Sequence, residues 1–185
     1  EKICINLSYF RGCSFENADF SGIDLTQVQF SNCNLKGCDF SNTRMKQGGF
    51  HQAMLEGAVF DNAYLELGFF YEAKASGASF KNANLNQANF QFADINNCDL
   101  SSTQLDHAVM EGMRAGNSDF SGARLSYADL SHARIKNSNF SNTNLLLANL
   151  HDIDDENTNW TGATRALARG TDEKRLKAEK WGENQ

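Results

Sequence analysis

The sequence predicts an all-β solenoid: a four-sided β-helix of about eight coils, followed by a short helical tail. Three observations carry that expectation. A large apolar residue recurs every fifth position from Ile5 to Trp160, interrupted only at Ala75, Ala115 and Asp155. A small residue, mostly Ala, Cys, Ser, Thr or Gly, keeps the same step two places earlier, from Ser8 to Ala163. The 185 residues contain no proline, which suits a uniform ladder that uses nearly every backbone N–H.

A period of five fits neither a helix, which repeats every 3.6 residues, nor a strand, which repeats every 2. It fits a chain that turns a right angle every five residues, so that each side points one large residue (position i) and one small residue (i−2) inward. Four sides then complete a coil of about twenty residues, and the columns at that spacing sort by type. Phe10, Phe30, Phe50, Phe70 and Phe90 share one side, and Phe20, Phe40, Phe60, Phe80, Phe120, Phe140 and Trp160 share the opposite one. The side between them carries Leu25, Met45, Leu65, Leu85, Leu105, Leu125 and Leu145. All three interruptions fall on the remaining side. Rings stacking on rings, and branched chains on branched chains, would produce this sorting. Large and small exchange places at Met113 and Ala115, and again at Ile153 and Asp155, so that volume is roughly kept. Ala73 and Ala75 are both small, which predicts a void or a bulge in that coil.

The runs "ADFSG" (18–22), "ANLNQ" (83–87) and "ADLSH" (128–132) resemble the A-(D/N)-L-x-x motif of the pentapeptide-repeat family. The resemblance covers about residues 3–163 and implies a right-handed, four-sided β-helix, a rod roughly 40 Å long at ~4.8 Å per coil. The family is functionally diverse. Among the roles the resemblance brings into view are DNA mimicry directed at DNA gyrase and service as a scaffold beside the catalytic domain of a secreted bacterial effector such as a ubiquitin ligase.

The domain boundary is placed at 1–163 for the β-helix and 164–185 for a helical cap or linker tail. At the N-terminal end the pattern is already running at Ile3 and Ile5 with no capping segment, which points to a piece of a larger protein or to an end that meets a partner. At the other end the frame breaks at "HDIDDEN" (151–157), and Trp160 is the largest available plug. Beyond it the chain becomes basic and helix-favouring, with Thr171 as a candidate N-cap and Leu167 and Ala168 placed to fold over the last coil.

Little in the sequence points to catalysis. Cys13, Cys33, Cys38 and Cys98 all occupy the small inward position, where Cys fills space as a larger Ala. Cys13 and Cys33 are one coil apart, close enough to consider a disulfide, but free thiols suit a reducing, cytoplasmic compartment, with secretion as an effector kept as an alternative. His51, His107, His132 and His151 point outward. His107 lies on another side from the other three, which are taken to sit several coils apart, and no Ser–His–Asp or Cys–His grouping can be assembled. "HDIDDEN" lacks the glycine turn and terminal Glu of a calcium loop. No enzyme site, cofactor or metal is expected within this chain. No apolar run approaches 20 residues, so no membrane span is expected.

The surface leaves two candidates. Residues 1–160 carry 11 Lys and Arg against 19 Asp and Glu, an anionic balance that disfavours nucleic acid as a direct ligand. Asp19, Asp39, Asp99 and Asp119 line one side at i−1, joined by Asp61, as an acidic stripe. The net charge of the whole rod, −8 over roughly 40 Å or about one per 5 Å, is some threefold thinner than the one per ~1.7 Å of duplex DNA. The second candidate is apolar. Met54, Val59, Tyr64 and Phe69 take outward positions on four successive sides, and Leu67, Tyr71 and Phe92 join them in a patch expected at a corner near Tyr64–Tyr71. Tyr127, Leu146 and Leu147 form a smaller group. Contiguous exposed apolar surface marks interfaces. The expected function is therefore a non-catalytic protein-interaction or scaffold module, with a protein partner or a second copy of the chain on the apolar patch. The alternatives are a gyrase-binding DNA mimic and the scaffold region of a multidomain effector enzyme.

Overall fold

The computed structural model describes residues 6–182. Ile3 and Ile5, where the pattern starts, lie outside the described residues. From Leu7 onward each group of five contributes a short extended step and a turn, and residues twenty apart pair in parallel: Asp39 with Val59, Val59 with Ser79, and so on down to Asn149 with Arg169. Among the described residues only the first pairing is long enough to count as strands, β1 (Tyr9–Arg11) against β2 (Gln29–Ser31), with Phe10 opposite Phe30. Each step contributes an N–H to the coil on either side. Asp39 N–H donates to Ala18 O at 3.0 Å and Phe40 N–H to Val59 O at 2.7 Å.

The right-angle corners have a backbone cause that the side-chain pattern only partly reveals. Every residue at i+2, from Leu7 to Gly162, has a positive φ between 50° and 73°. The following N–H closes a β-turn onto the carbonyl of residue i, as from Ala63 to Phe60 at 3.0 Å. A left-handed third residue is what a type II turn requires, and Gly and Asn tolerate it best, so they fill most of these positions.

Inside the coil the inward columns are sealed. Phe40, Phe60 and Phe80 stack with ring centroids 4.9 Å apart, and Phe50, Phe70 and Phe90 at 4.8 and 4.5 Å. The two columns meet edge to face across the core, as Phe50 and Phe60 do at 5.3 Å. Where the small column carries Thr, the buried hydroxyl donates to the carbonyl three residues earlier: Thr43 to Phe40, Thr103 to Leu100 and Thr143 to Phe140, at 2.7–2.8 Å. A buried hydroxyl left without such a partner would be costly. The Ala73–Ala75 coil contains no bulge: Lys74 N–H still bonds to Ala53 O at 2.9 Å and Ala75 N–H to Asp94 O at 2.7 Å.

At the C-terminal end the ladder runs on through Arg169, and α1 (Glu173–Gly182) follows. Trp160 rests on Phe140 with centroids 4.7 Å apart. Its indole N–H donates to Asp155 at 3.1 Å, and the Arg165 guanidinium lies 4.1 Å over its ring. Asp155, an interruption in the apolar frame, thus binds the plug. The N-cap of α1 is Asp172, not Thr171: Asp172 Oδ1 accepts the N–H groups of Lys174 and Arg175 at 2.9 and 3.2 Å. The Thr171 hydroxyl instead accepts the Asp152 N–H at 3.2 Å. Ala168 is half-buried against the core and Leu167 is exposed.

Candidate functional site

The two surface candidates behave differently in three dimensions. Of the acidic residues, Asp19 pairs with Asp39 and Asp99 with Asp119, but Val59 and Ser79 stand between the two pairs, so the stripe is broken at its centre. The carboxylates are also occupied. Asp19, Asp39, Asp99 and Asp119 each accept the N–H of the Ser two residues on, at 2.8–2.9 Å. The Ser21 hydroxyl and N–H hold the Asp19 carboxyl below the usual carboxylate range. Asp61 sits in the turn and accepts the Ser79 hydroxyl and the Lys81 N–H. Neutral residues do the same work elsewhere: Asn139 and Asn159 cap the N–H groups of Ser141 and Thr161 at 3.1 Å. The recurring requirement is an acceptor at i−1, whether or not it is charged. Asp119→Asn is accordingly expected to change stability by less than about 0.5 kcal/mol. Asp119→Ala should cost about 1 kcal/mol through the lost turn bond. Urea denaturation of both variants checks this; equal losses would assign the role to charge.

The apolar residues do not form one patch. The coil from Met54 to Phe69 carries them around the whole rod. Met54 and Val59 are half-buried on two sides away from the rest. Tyr64 is 60% exposed on the side of Leu65, Leu67 occupies the corner, and Phe69 is 49% exposed on the next side. Tyr71 begins the following corner and meets Phe92 of the coil below edge to face at 5.9 Å; the His51 ring stacks on Tyr71 at 5.4 Å. The contiguous surface is thus the side centred on Phe69, bounded by Leu67 at one corner and by Tyr71 and Phe92 at the other. A shallow groove lined by Leu67, Gln87, His107 and Val109 continues it. Along the same corner as Leu67, His107 and Tyr127 stack face to face at 4.8 Å.

The backbone adds a signal that the sequence pattern did not supply. Leu67, Phe92, Tyr127 and Leu147 all sit at the left-handed i+2 position, with φ of 57–60°. Large apolar residues are disfavoured there, and Gly or Asn would be cheaper. The Phe92 ring occupies space that even a Cβ on Gly112 would enter, at 2.7 Å.

The pentapeptide-repeat profile matches residues 8–47, 70–102, 103–142 and 118–154, with 8 copies of the repeat. The chain belongs to the pentapeptide-repeat family. No curated protein matches the sequence. Among solved structures it is similar to HetL, a pentapeptide repeat protein involved in heterocyst differentiation regulation from the cyanobacterium Nostoc. The two share 20% identity over 86% of this chain and 88% of that one, at a TM-score of 0.53. It is also similar to trypsin-treated QnrB1, a plasmid-mediated fluoroquinolone resistance protein, at 23% identity over 96% and 91% of the two chains and a TM-score of 0.47.

As a pentapeptide-repeat solenoid the coil is right-handed. Three of its inward cysteines are poor nucleophiles. Burial pushes the Cys98 thiol up to about 12 and raises those of Cys33 and Cys38. Cys38 and Cys98 donate to the carbonyls of Phe15 and Ala75 at 3.0 Å, and Cys13, Cys33, Cys38 and Cys98 are free thiols. Among the described residues no helix is long and apolar enough to cross a membrane. The histidines lie closer together than their numbering suggests. His132 and His151 are not several coils apart; they occupy successive coils of one corner, with ring centroids 5.3 Å apart. The step between them is 19 rather than 20 because one takes the second turn position and the other the first.

Proposed function

We propose that this chain is a non-catalytic interaction module whose partner-binding surface is the side centred on Phe69, with Tyr64, Leu67, Tyr71 and Phe92 around it. One observation carries the reading: the half-buried Leu67 and the exposed Phe92 are large apolar residues at left-handed corner positions, where Gly or Asn would be less strained. Backbone strain retained at a surface is a pointer to function, and aromatic side chains are the usual anchors of protein interfaces. The partner is a protein that presents an apolar face. Met54 and Val59, half-buried on other sides, fall outside the surface.

The test places a photo-crosslinking amino acid at position 69 and, as a control, at position 139 on another side. Crosslinks to a second protein or a second copy are expected from position 69 and not from 139. Tyr64→Glu combined with Phe69→Glu should abolish that association while leaving the β-type circular dichroism intact. Capture that survives the double variant would overturn the assignment. The gyrase-mimic reading finds less support, because the acidic stripe is interrupted and its carboxylates cap turns. A supercoiling assay separates the two: inhibition that depends on Asp99 and Asp119 and ignores Tyr64 and Phe69 would replace the apolar reading with the acidic one.

A further inference from the structure

We propose that His132, His151 and Glu179 form a binding site for a divalent transition cation of the zinc class, one that fastens α1 to the corner of the β-helix. The three side chains come from two successive coils and from the helix, and their candidate ligand atoms lie within 4.8 Å of one another. Nε2 of His151 is 3.1 Å from Glu179 Oε2, and Nε2 of His132 is 3.7 Å from the same oxygen. Ligands of a tetrahedral zinc centre, with metal bonds of about 2.0–2.2 Å, stand roughly 3.4 Å apart, so these two separations bracket the required one.

The surrounding hydrogen bonds orient two of the three ligands. Asp152 Oδ2 faces His132 Nδ1 at 3.2 Å. A carboxylate can only accept there, so the Nδ1 proton is donated to it, and in the neutral ring the Nε2 lone pair is turned towards Glu179. Two acceptors then face each other, and a cation between them satisfies both. This carboxylate–histidine arrangement is the usual outer support of a zinc-ligating imidazole. Glu179 Oε1 takes Arg175 Nε at 2.6 Å, which leaves Oε2 for the site.

His151 sets the price of loading. It is 2% exposed, and its Nδ1 accepts the Asp172 N–H at 3.0 Å, so the ring proton sits on Nε2 and is donated to Glu179. A cation on Nε2 displaces that proton to Nδ1 and breaks the bond from the Asp172 N–H. The ring stays neutral, and no net proton is released from it. The metal therefore exchanges one fastening of α1 for another.

Calorimetric titration of the full chain with Zn²⁺ is expected to give one site per chain, and Co²⁺ should show the visible d–d bands of a four-coordinate centre with nitrogen and oxygen ligands. His132→Ala and Glu179→Ala, both at partly exposed residues, should abolish the site. Asp152→Asn should weaken it by about 10–100-fold. All three variants keep every cysteine. Zinc affinity unchanged in them, or a Co²⁺ spectrum dominated by thiolate charge transfer, would overturn the proposal by assigning the metal to sulfur. Zinc should also protect the 171–182 segment from proteolysis in the parent chain and fail to do so in Glu179→Ala. If the gap beside His132 is filled by a proton instead, the parent chain will show neither zinc binding nor protection, and the site does not exist.

Discussion

Phe60→Ala will lower the free energy of unfolding by about 3–5 kcal/mol, the range for removing a fully enclosed phenyl ring. Phe60 has no exposed surface. Its ring stacks within 7° of parallel on Phe40 and within 2° on Phe80, each at 4.9 Å, and it meets Phe50 and Phe70 edge to face at 5.3 and 5.9 Å. No neighbour can close the gap. The coil above and the coil below are held by the 20-residue ladder, and the opposite wall is a second column of rings. Phe20→Ala is the matched control. Phe20 belongs to the first described full coil, is only partly buried, and has a stacked ring on one side alone, Phe40 at 5.0 Å. Its removal should cost less than half as much. In a solenoid each coil contacts only its neighbours, so the Phe60 variant should also lose hydrogen-exchange protection first in residues 40–80. Urea unfolding and exchange together check this. Equal losses for the two variants would mean that the columns are not the unit that holds the rod together.

The period of five, the four sides and the contents of each column were legible because inward positions are under a steric demand that only a few side chains meet. Phe40, Phe60 and Phe80 declare their stacking simply by recurring at that spacing. The surface was less legible because outward residues answer to several demands at once. Asp39 and Asp119 look like charge but serve as turn acceptors, a role Asn fills equally well. Met54, Val59, Tyr64 and Phe69 lie on four successive sides, as their spacing already says, but the spacing does not say that Met54 and Val59 are half-buried while Tyr64 and Phe69 stand exposed. The left-handed φ at Leu67 and Phe92 has no one-dimensional mark beyond the absence of Gly or Asn at i+2. The histidine pair escaped notice because a spacing of 19 crosses between the two turn positions, and its third member, Glu179, comes from a helix whose placement no repeat dictates.

The exchange of large and small at Met113 and Ala115 makes the second strong prediction, since it tests whether a coil is filled position by position or as a shared volume. Both side chains are fully buried, between Ala93 and Ile95 of the coil above and Ala133 and Ile135 of the coil below. The ladder through them is regular, with Arg114 N–H on Ala93 O at 2.9 Å and Ala115 N–H on Arg134 O at 2.8 Å. The exchange is therefore absorbed by side chains alone. Ala115→Leu should overfill the coil and cost about 1–3 kcal/mol. Met113→Ala should leave a cavity and cost about 2–5 kcal/mol. Combined, the two restore the arrangement of the neighbouring coils, and the double variant should stand well above the sum of the singles, with a coupling of about 1–3 kcal/mol. Ala75→Leu provides the contrast. Its partner Ala73 is small, so the added side chain meets no opposing Met and should be neutral or stabilising. Denaturant unfolding of the four variants decides the matter. Additive losses at 113 and 115 would show that each inward position is specified by its own column, and that the paired exchange in the sequence compensates nothing.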